Sequence, residues 1–505
     1  MKALKKIKGI RSLFLLLAGS GASAIFPPFI DAFWGYVFLI LFLGYLFTSE
    51  NRKMFYNAFV FGFGYYAAGF SWINNALLID GDQFINYVPL VFMTIGIFFA
   101  LFWAIPAWLA SRVYNQKARV IFFIVLFVLF EWIRSFIFTG FPWNLLGTAL
   151  SFSPALISGA AYFGTYGLSL FMMCVLCGAA LILFVKNMRF FGGCLMLLGG
   201  IVIGGFALTY HDDTEDGVLT VRLVQPSIPQ TLKWDNEVLA HNFREYIDLS
   251  VKAKNDNVKL VVWGETATPY YLDRDLWKLR EITEAIPENG FLITGLLRAG
   301  MESGRFVPYN SMFVINKDGV IKDYYDKAHL VPFGEFLPFR KYLPEFMTPI
   351  ANTVGELGRG EKYKNINVEG LPLLGAAICY ESIFPHEVVN PINKPEVLVV
   401  LANDGWYGVS FGPAQHLAAA QLRAVEEGIT VIRSANTGIS AVIDYNGKIK
   451  ATLGLNEKGY LDVVLPKNLA KNTIYGRFGN IIPLVLIVLM MLWGFYLNSP
   501  RGCKK

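Results

Sequence analysis

The sequence predicts a polytopic α-helical membrane bundle of eight helices that carries one soluble α/β domain. Three observations lead there. Of 505 residues, 54% are hydrophobic and only 16% charged, against about 25% charged in an ordinary soluble protein. The apolar excess lies in residues 10–210 and 481–497, whereas 211–480 has globular composition. Basic residues collect at every second connection between the apolar runs, the asymmetry that membrane insertion produces.

A helix needs about 20 apolar residues to cross the hydrocarbon core. Eight runs are candidates: 10–26, 30–48, 54–76, 87–111, 120–138, 155–185, 190–209 and 481–497. The first has a basic start and Ala22-Ser23-Ala24, like a secretory signal. A second apolar run returns at once through Pro27 and Pro28, so a retained hairpin is expected. The layout expected is a membrane domain of seven helices over 1–210, a catalytic domain over 217–466 and a final helix over 481–497.

The connections set the orientation. Lys2, Lys5, Lys6, Lys8 and Arg11 precede the first run; Arg52 and Lys53, then Arg112, Lys117 and Arg119, then Lys186 and Arg189 follow at alternate loops. Arg501, Lys504 and Lys505 close the chain, while Asp31, Asp80 and Asp82 mark the other loops. Both termini are therefore expected in the cytoplasm and the soluble domain outside it. Glu131 and Arg134 stand three apart within the fifth run, share a helix face and are able to pair. At that depth they read either as a structural pair or as part of a lipid headgroup site. The following Thr139-Gly140-Phe141-Pro142-Trp143-Asn144 is an interfacial loop on the soluble domain's side.

A net charge of +6, spent mostly at helix ends, gives no nucleic-acid surface. Cys174, Cys177 and Cys194 fall in apolar runs and Cys503 in the tail, which leaves Cys379 alone in the globular part and excludes a disulfide framework there. Cys174 and Cys177 form C-x-x-C, but inside a membrane run they read as small packing residues. His211, His241, His329, His386 and His416 show no metal-ligand spacing, and no cofactor is expected.

Beyond the polar linker 211–217, short strands alternate with helical stretches. Val218–Gln225, Lys259–Trp263, Phe291–Leu297, Leu373–Cys379, Val397–Ala402, Val431–Ser434, Ser440–Tyr445 and Leu461–Leu465 read as strands. Ser311–Tyr325 reads as a hairpin turning at Lys317-Asp318-Gly319, Asn446-Gly447 as a second turn, and Leu417–Glu427 as a helix. About ten strands in two helix-faced sheets are implied.

Functional side chains in such folds sit just past strand ends. Glu265 follows Lys259–Trp263, Cys379 ends Leu373–Cys379, and Lys327 follows the hairpin. Each alone reads as a core thiol, a capping carboxylate and a solvated lysine. Together they supply a nucleophile, a base and a cation for an oxyanion, which is what acyl transfer needs.

The motifs around them, Trp263-Gly264-Glu265-Thr266-Ala267, the stretch from Tyr325 to Glu335, and Ile378-Cys379-Tyr380-Glu381-Ser382, resemble the Glu-Lys-Cys signature of the nitrilase (carbon-nitrogen hydrolase) superfamily. Asn403–Tyr407 and Arg433–Gly438 also resemble it. With the helices, and with Glu131-Trp132 through Trp143, nearly the whole chain is similar to the bacterial apolipoprotein N-acyltransferases. That resemblance implies an α-β-β-α sandwich, with Cys379 as nucleophile, Glu265 as general base and Lys327 as oxyanion stabiliser. Glu335 would hold the lysine or assist proton transfer, and Tyr380 and Glu381 would support the site, Glu381 by positioning the amine or the cysteine loop. It implies a phospholipid acyl donor, a diacylglyceryl apolipoprotein acceptor, and a bacterial inner membrane with the catalytic domain on the periplasmic side. Gly264 departs from the proline of many relatives, which implies a looser approach to Glu265. Phe333, Phe336, Leu337, Phe339, Trp406 and Tyr407 are expected to dip into the membrane interface. The rivals are a membrane-tethered amidase that hydrolyses a small amide and a binding or transport protein with a degenerate enzyme domain.

Overall fold

A computed structural model describes residues 8–29, 33–79, 81–212, 214–253, 255–302, 304–342, 356–467 and 469–499. Lys2, Lys5, Lys6, Asp31, Asp80, Arg501, Cys503, Lys504 and Lys505, and the side chains of Lys8 and Asp82, lie outside the described residues. The chain forms two compact units. One comprises Met1–Asn74, Gly81–His211 and Phe478–Lys505; the other comprises Asn75–Asp80 and Asp212–Arg477.

The first unit is helical: α1 (Lys8–Ala22), α2 (Phe33–Phe47), α3 (Met54–Gly69), α4 (Val88–Ser111), α5 (Gln116–Ile133), α6 (Pro154–Ile157), α7 (Ala160–Phe184), α8 (Arg189–Leu208) and a C-terminal helix, Ile481–Asn498. Four stretches among the described residues are long and apolar enough to cross a membrane: Phe84–Ser111, Ala160–Phe184, Lys186–Leu208 and Ile481–Asn498. Eight runs were expected, and the others differ from these four for local reasons. The first run leaves α geometry after Ala22 for a 3-10 turn, Ser23–Ile25, and the third does so at Ser71–Leu78. At 15 residues each, α1 and α2 span about 22 Å, short of the ~30 Å hydrocarbon core. Helix α5 has 18 residues but contains Lys117, Arg119 and Glu131.

Small residues let these helices touch backbone to backbone, the usual device where water supplies no driving force between helices. A Cβ on Gly19 of α1 would stand 2.0 Å from the Phe61 carbonyl oxygen of α3. In the α7–α8 pair, a Cβ on Gly178 would stand 2.6 Å from Gly192 O, and one on Gly199 2.3 Å from Phe171 O. Cys174 and Cys177 are buried in α7. Glu131 and Arg134 are both buried, but no ion pair joins them among the described residues. They fasten the following loop instead. Leu146 N donates to Glu131 Oε1 at 2.7 Å, and Arg134 Nη1 donates to Trp143 O at 2.8 Å.

Among the described residues the second unit holds eleven strands: β1 (Asp216–Gln225), β2 (Val258–Val262), β3 (Phe291–Glu302), β4 (Arg305–Asn316), β5 (Ile321–Asp326), β6 (Leu374–Ile378), β7 (Val397–Ala402), β8 (Thr430–Ala435), β9 (Ser440–Ile443), β10 (Ile449–Leu453) and β11 (Gly459–Pro466). Its longer helices are α9 (Leu239–Val251), α10 (Leu276–Ile282) and α11 (Gly412–Glu427). One sheet runs β11-β1-β2-β3-β4-β5 and the other β10-β9-β8-β7-β6. Parallel pairs β1–β2, β2–β3, β6–β7 and β7–β8 form the two centres. The strand beyond the ten expected is the second arm of the Asn446-Gly447 turn: β10 pairs antiparallel with β9.

Alternation places the layers. Val221, Leu223, Leu260, Val262, Ile293 and Met312 of the first sheet pack with Ala376, Ile378, Val399, Leu401 and Ile432 of the second. On the outer face of the first sheet Val261, Leu292 and Phe313 meet Phe243, Ile247 and Ile282 of α9 and α10. On the outer face of the second, Leu398, Val400 and Val431 meet Ala420 and Ala424 of α11. The unit is therefore a helix–sheet–sheet–helix sandwich, whose parallel centres bring several strand ends to one edge.

Candidate active site

Glu265, Lys327 and Cys379 are 62 and 52 residues apart in sequence, and each leaves its strand at the same edge of the sandwich. Glu265 lies three residues past β2, and its N–H donates to Ala402 O at the end of β7, 3.3 Å away. Ser434 Oγ donates to Val262 O at 3.0 Å, a second tie between the sheets. The strand end is closely packed, and Gly264 is not loose: a Cβ there would come 3.1 Å from Ala435 C and Asn436 N.

Lys327 directly follows β5. Its Nζ, almost wholly buried, donates to Glu335 Oε1 at 2.9 Å and to Glu265 Oε1 at 3.3 Å. Burial works against its charge, but Glu335, Glu265 and Cys379 outweigh that and hold the ammonium above the usual lysine range. Glu335 also accepts from Val331 N through Oε2 at 2.8 Å, which fixes the loop after Lys327.

Two partners escaped the sequence reading. Asn310 Nδ2 donates to Glu265 Oε1 at 2.8 Å and to Glu335 Oε1 at 3.1 Å, while Asn310 O accepts from Lys327 N at 2.8 Å. One amide thus sets the spacing of both carboxylates. Its signal was a polar residue among the apolar residues before Ser311, where β4 had already begun. Lys233 Nζ, also buried, donates to the Glu265 carbonyl oxygen at 3.0 Å and to Thr266 Oγ1 at 2.7 Å. Burial brings its pKa down to about 8 against the pull of Glu265 and Cys379. Nothing in a loop sequence marks such a lysine as interior.

Cys379 is the first residue past β6 and opens a 3-10 turn, Cys379–Ile383. Its φ is +52°, a conformation costly for a residue with a Cβ. Glu381 holds this turn. Its Oε2 accepts from Ile378 N at 2.7 Å, and its Oε1 from Tyr325 Oη at 2.9 Å, Ala328 N at 2.8 Å and His329 N at 2.9 Å. One carboxylate therefore clamps the cysteine turn to the lysine loop. Tyr380 is buried against His329 and Phe384.

Beneath Cys379 lies a fully buried polar chain. Asp404, after β7, is held at about 2 because Arg433 and His416 outweigh the cost of its burial. As an ionised acceptor it takes His416 Nδ1 at 2.8 Å and Arg433 Nη2 at 2.6 Å. His416 Nε2 lies 3.0 Å from both Ser382 Oγ and the Cys379 carbonyl oxygen. The Sγ itself is 3.8 Å from the Tyr407 hydroxyl. Burial and Glu265 push the thiol up, against the pull of Lys327.

Of the residues expected at the interface, Phe333 and Phe339 are exposed, Phe336 and Trp406 half-buried, and Leu337 buried. Leu337 is thereby removed from the set, and the Tyr407 hydroxyl lies against the Cys379 sulfur. Among the described residues no cluster of His, Cys, Asp and Glu is arranged to hold a metal ion.

Residues 220–475 match the carbon-nitrogen hydrolase family, so the second unit is a nitrilase-type domain with a cysteine, a glutamate and a lysine at its strand ends. Residues 18–178 match the apolipoprotein N-acyltransferase N-terminal domain. The apolipoprotein N-acyltransferase of Rhodopseudomonas palustris is 35% identical over 459 residues, 88% of this chain and 85% of that protein. That of Rickettsia typhi is 37% identical over 447 residues, 87% of this chain and 89% of that protein. Yeast Nit3, a solved member of the nitrilase superfamily, aligns at 20% identity and a TM-score of 0.36 over 53% of this chain and 94% of its own. The chain belongs to the apolipoprotein N-acyltransferase family, membrane enzymes that carry a carbon-nitrogen hydrolase domain.

Proposed function

We propose that the protein transfers a fatty acyl group from the sn-1 position of a membrane phospholipid to the α-amine of an N-terminal diacylglyceryl-cysteine. The observation that carries this reading is the Lys327 ammonium held between Glu265 and Glu335 beside a buried thiol, in a chain whose helical region also matches the family. In the first half, Glu265 takes the thiol proton as the Cys379 sulfur attacks the ester carbonyl. The sulfur–carbon bond forms, the ester carbon–oxygen bond breaks, and the proton passes to the leaving lysophospholipid. In the second, the amine attacks the thioester, the carbon–sulfur bond breaks, and Glu265 returns an amine proton to sulfur. Lys327 stabilises the oxyanion of both tetrahedral intermediates, a contribution of about 3–4 kcal/mol where one such donor has been removed elsewhere. Glu335 and Asn310 keep the lysine and the base in register.

Both substrates are lipid-anchored, and each buried methylene is worth about 0.8 kcal/mol. A site reached from the bilayer avoids extracting a chain into water. In this reading the helical unit spans the bacterial inner membrane eight times, both termini are cytoplasmic, and the catalytic domain faces the periplasm. A tethered amidase would need no such helical domain.

Incubation with phospholipid should add a fatty acyl mass to the Cys379 peptide of the wild-type chain. Cys379→Ala should take none, and Cys379→Ser, a poorer nucleophile and leaving group, should stall the cycle. Wild-type turnover by either variant contradicts the thioester route.

A further inference from the structure

The phenol of Tyr407 is a side-chain polar group that lies against the Cys379 sulfur. Tyr407 ends the 3-10 turn Asp404–Tyr407 that follows β7, on the neighbouring strand to the one that delivers Cys379. Its hydroxyl oxygen lies 3.8 Å from Sγ, long for a neutral thiol and able to shorten onto a thiolate, as bonds in unliganded sites do. Its place is built rather than incidental. The Tyr407 carbonyl accepts from Asn75 Nδ2 at 2.6 Å and from Ser410 Oγ at 2.7 Å. Its ring meets the His416 ring edge to face, 5.8 Å between centroids, and His416 is the residue beside the Cys379 carbonyl.

We propose that Tyr407 is a further catalytic residue of the acyl transfer: its O–H donates to the Cys379 sulfur and stabilises the thiolate each time negative charge gathers there. This rests on the thioester reading above. The charge gathers twice, when Glu265 removes the thiol proton and when the carbon–sulfur bond breaks and its electron pair returns to sulfur. Tyr407 keeps its proton through both, since burial and then Cys379 hold its ionisation well above the usual tyrosine range. It therefore acts as a donor and transfers nothing. Lys327 is engaged by two carboxylates and serves the carbonyl oxygen, so the sulfur needs a separate donor. Tyr407 and the Asn403 backbone fill that place.

The test is Tyr407→Phe in the full chain in detergent, which keeps the ring against His416. Iodoacetamide alkylation of the Cys379 peptide is followed against pH, together with single-turnover rates of the two halves. The other groups acting on the sulfur, Glu265, Asp404, Lys327 and Lys233, are the same in both proteins. The variant should need a pH about one unit higher for the same alkylation rate, and both half-reactions should slow about tenfold, the scale of one hydrogen bond to a charged group. Unchanged alkylation and unchanged half-reactions overturn the proposal. If Tyr407→Phe does not accumulate, 3-fluorotyrosine at 407, a stronger donor, must move the alkylation profile to lower pH, and no movement overturns it. A wild-type chain that takes no acyl group on Cys379 removes the thioester reading, and the inference with it.

Discussion

At the scale of single residues, the site is a balance of buried charge. Glu265 and Glu335 face Lys327 directly, and Lys233 stands behind Glu265. Such groups persist in an interior only when each is paired and hydrogen-bonded, and the amide of Asn310 completes the set. Asp404 follows the same rule one layer below, and it carries a prediction about acid stability. Its carboxyl titrates at about 2 in the fold against an ordinary value of 3.8. A depressed carboxylate contributes stability above its unfolded value and loses it as pH falls toward the folded value. The wild-type advantage over Asp404→Asn should therefore be full above pH ~4, worth about 2 kcal/mol from this shift, and should shrink as pH falls toward ~2. Denaturation of both proteins across that range measures it, and an advantage that stays constant with pH contradicts it. The three residues at strand ends were legible in the sequence because position past a strand is a local property. Asn310, Lys233 and His416 were not, since their burial and partners come from segments far along the chain.

At the scale of elements, strands and helices were legible to different degrees. Most strand positions followed from short β-branched runs bounded by turns, since burial on both faces leaves little room for polar residues. Strand β3 runs past Leu297 and β4 begins before Ser311, and the two pair as a hairpin, because Arg298, Arg305 and Glu302 do not interrupt a strand whose outer end is exposed. Apolar composition, by contrast, does not show where an α-helix tightens into a 3-10 turn. Helix contact in the first unit rests on glycine faces, and α8 offers a comparison within one helix. A Cβ on Gly199 meets Phe171 O at 2.3 Å, whereas one on Gly200 meets nothing within 4 Å. Gly199→Ala should lower the melting temperature of the detergent-solubilised protein. Gly200→Ala should leave it unchanged or raise it, because alanine favours a helix by up to about 1 kcal/mol over glycine. Equal losses in both would show that close approach at Gly199 is not what matters.

For the whole molecule, the reading turns on which side of the membrane each part lies. The charge asymmetry of the loops supports cytoplasmic termini and a periplasmic catalytic domain. Single cysteines introduced at exposed positions of the second unit, such as Ile392 or Val409, should react with an impermeant maleimide once the outer membrane is opened. Cysteines at Arg52 or Lys117 should react only after the inner membrane is breached. The reverse pattern would turn the enzyme over and separate it from its acceptor.

One feature of the second unit bears on how the enzyme can be handled. It is assembled from two stretches of chain, and the shorter, beginning at Asn75, supplies the amide that steadies the Tyr407 carbonyl. A water-soluble fragment cut at the linker near residue 212 would leave that amide behind. Its cysteine turn would retain the Glu381 clamp, but the neighbouring tyrosine would lose its brace. Excision at the obvious border therefore yields a sandwich with an incomplete rim, and an inactive fragment would say little about the intact enzyme.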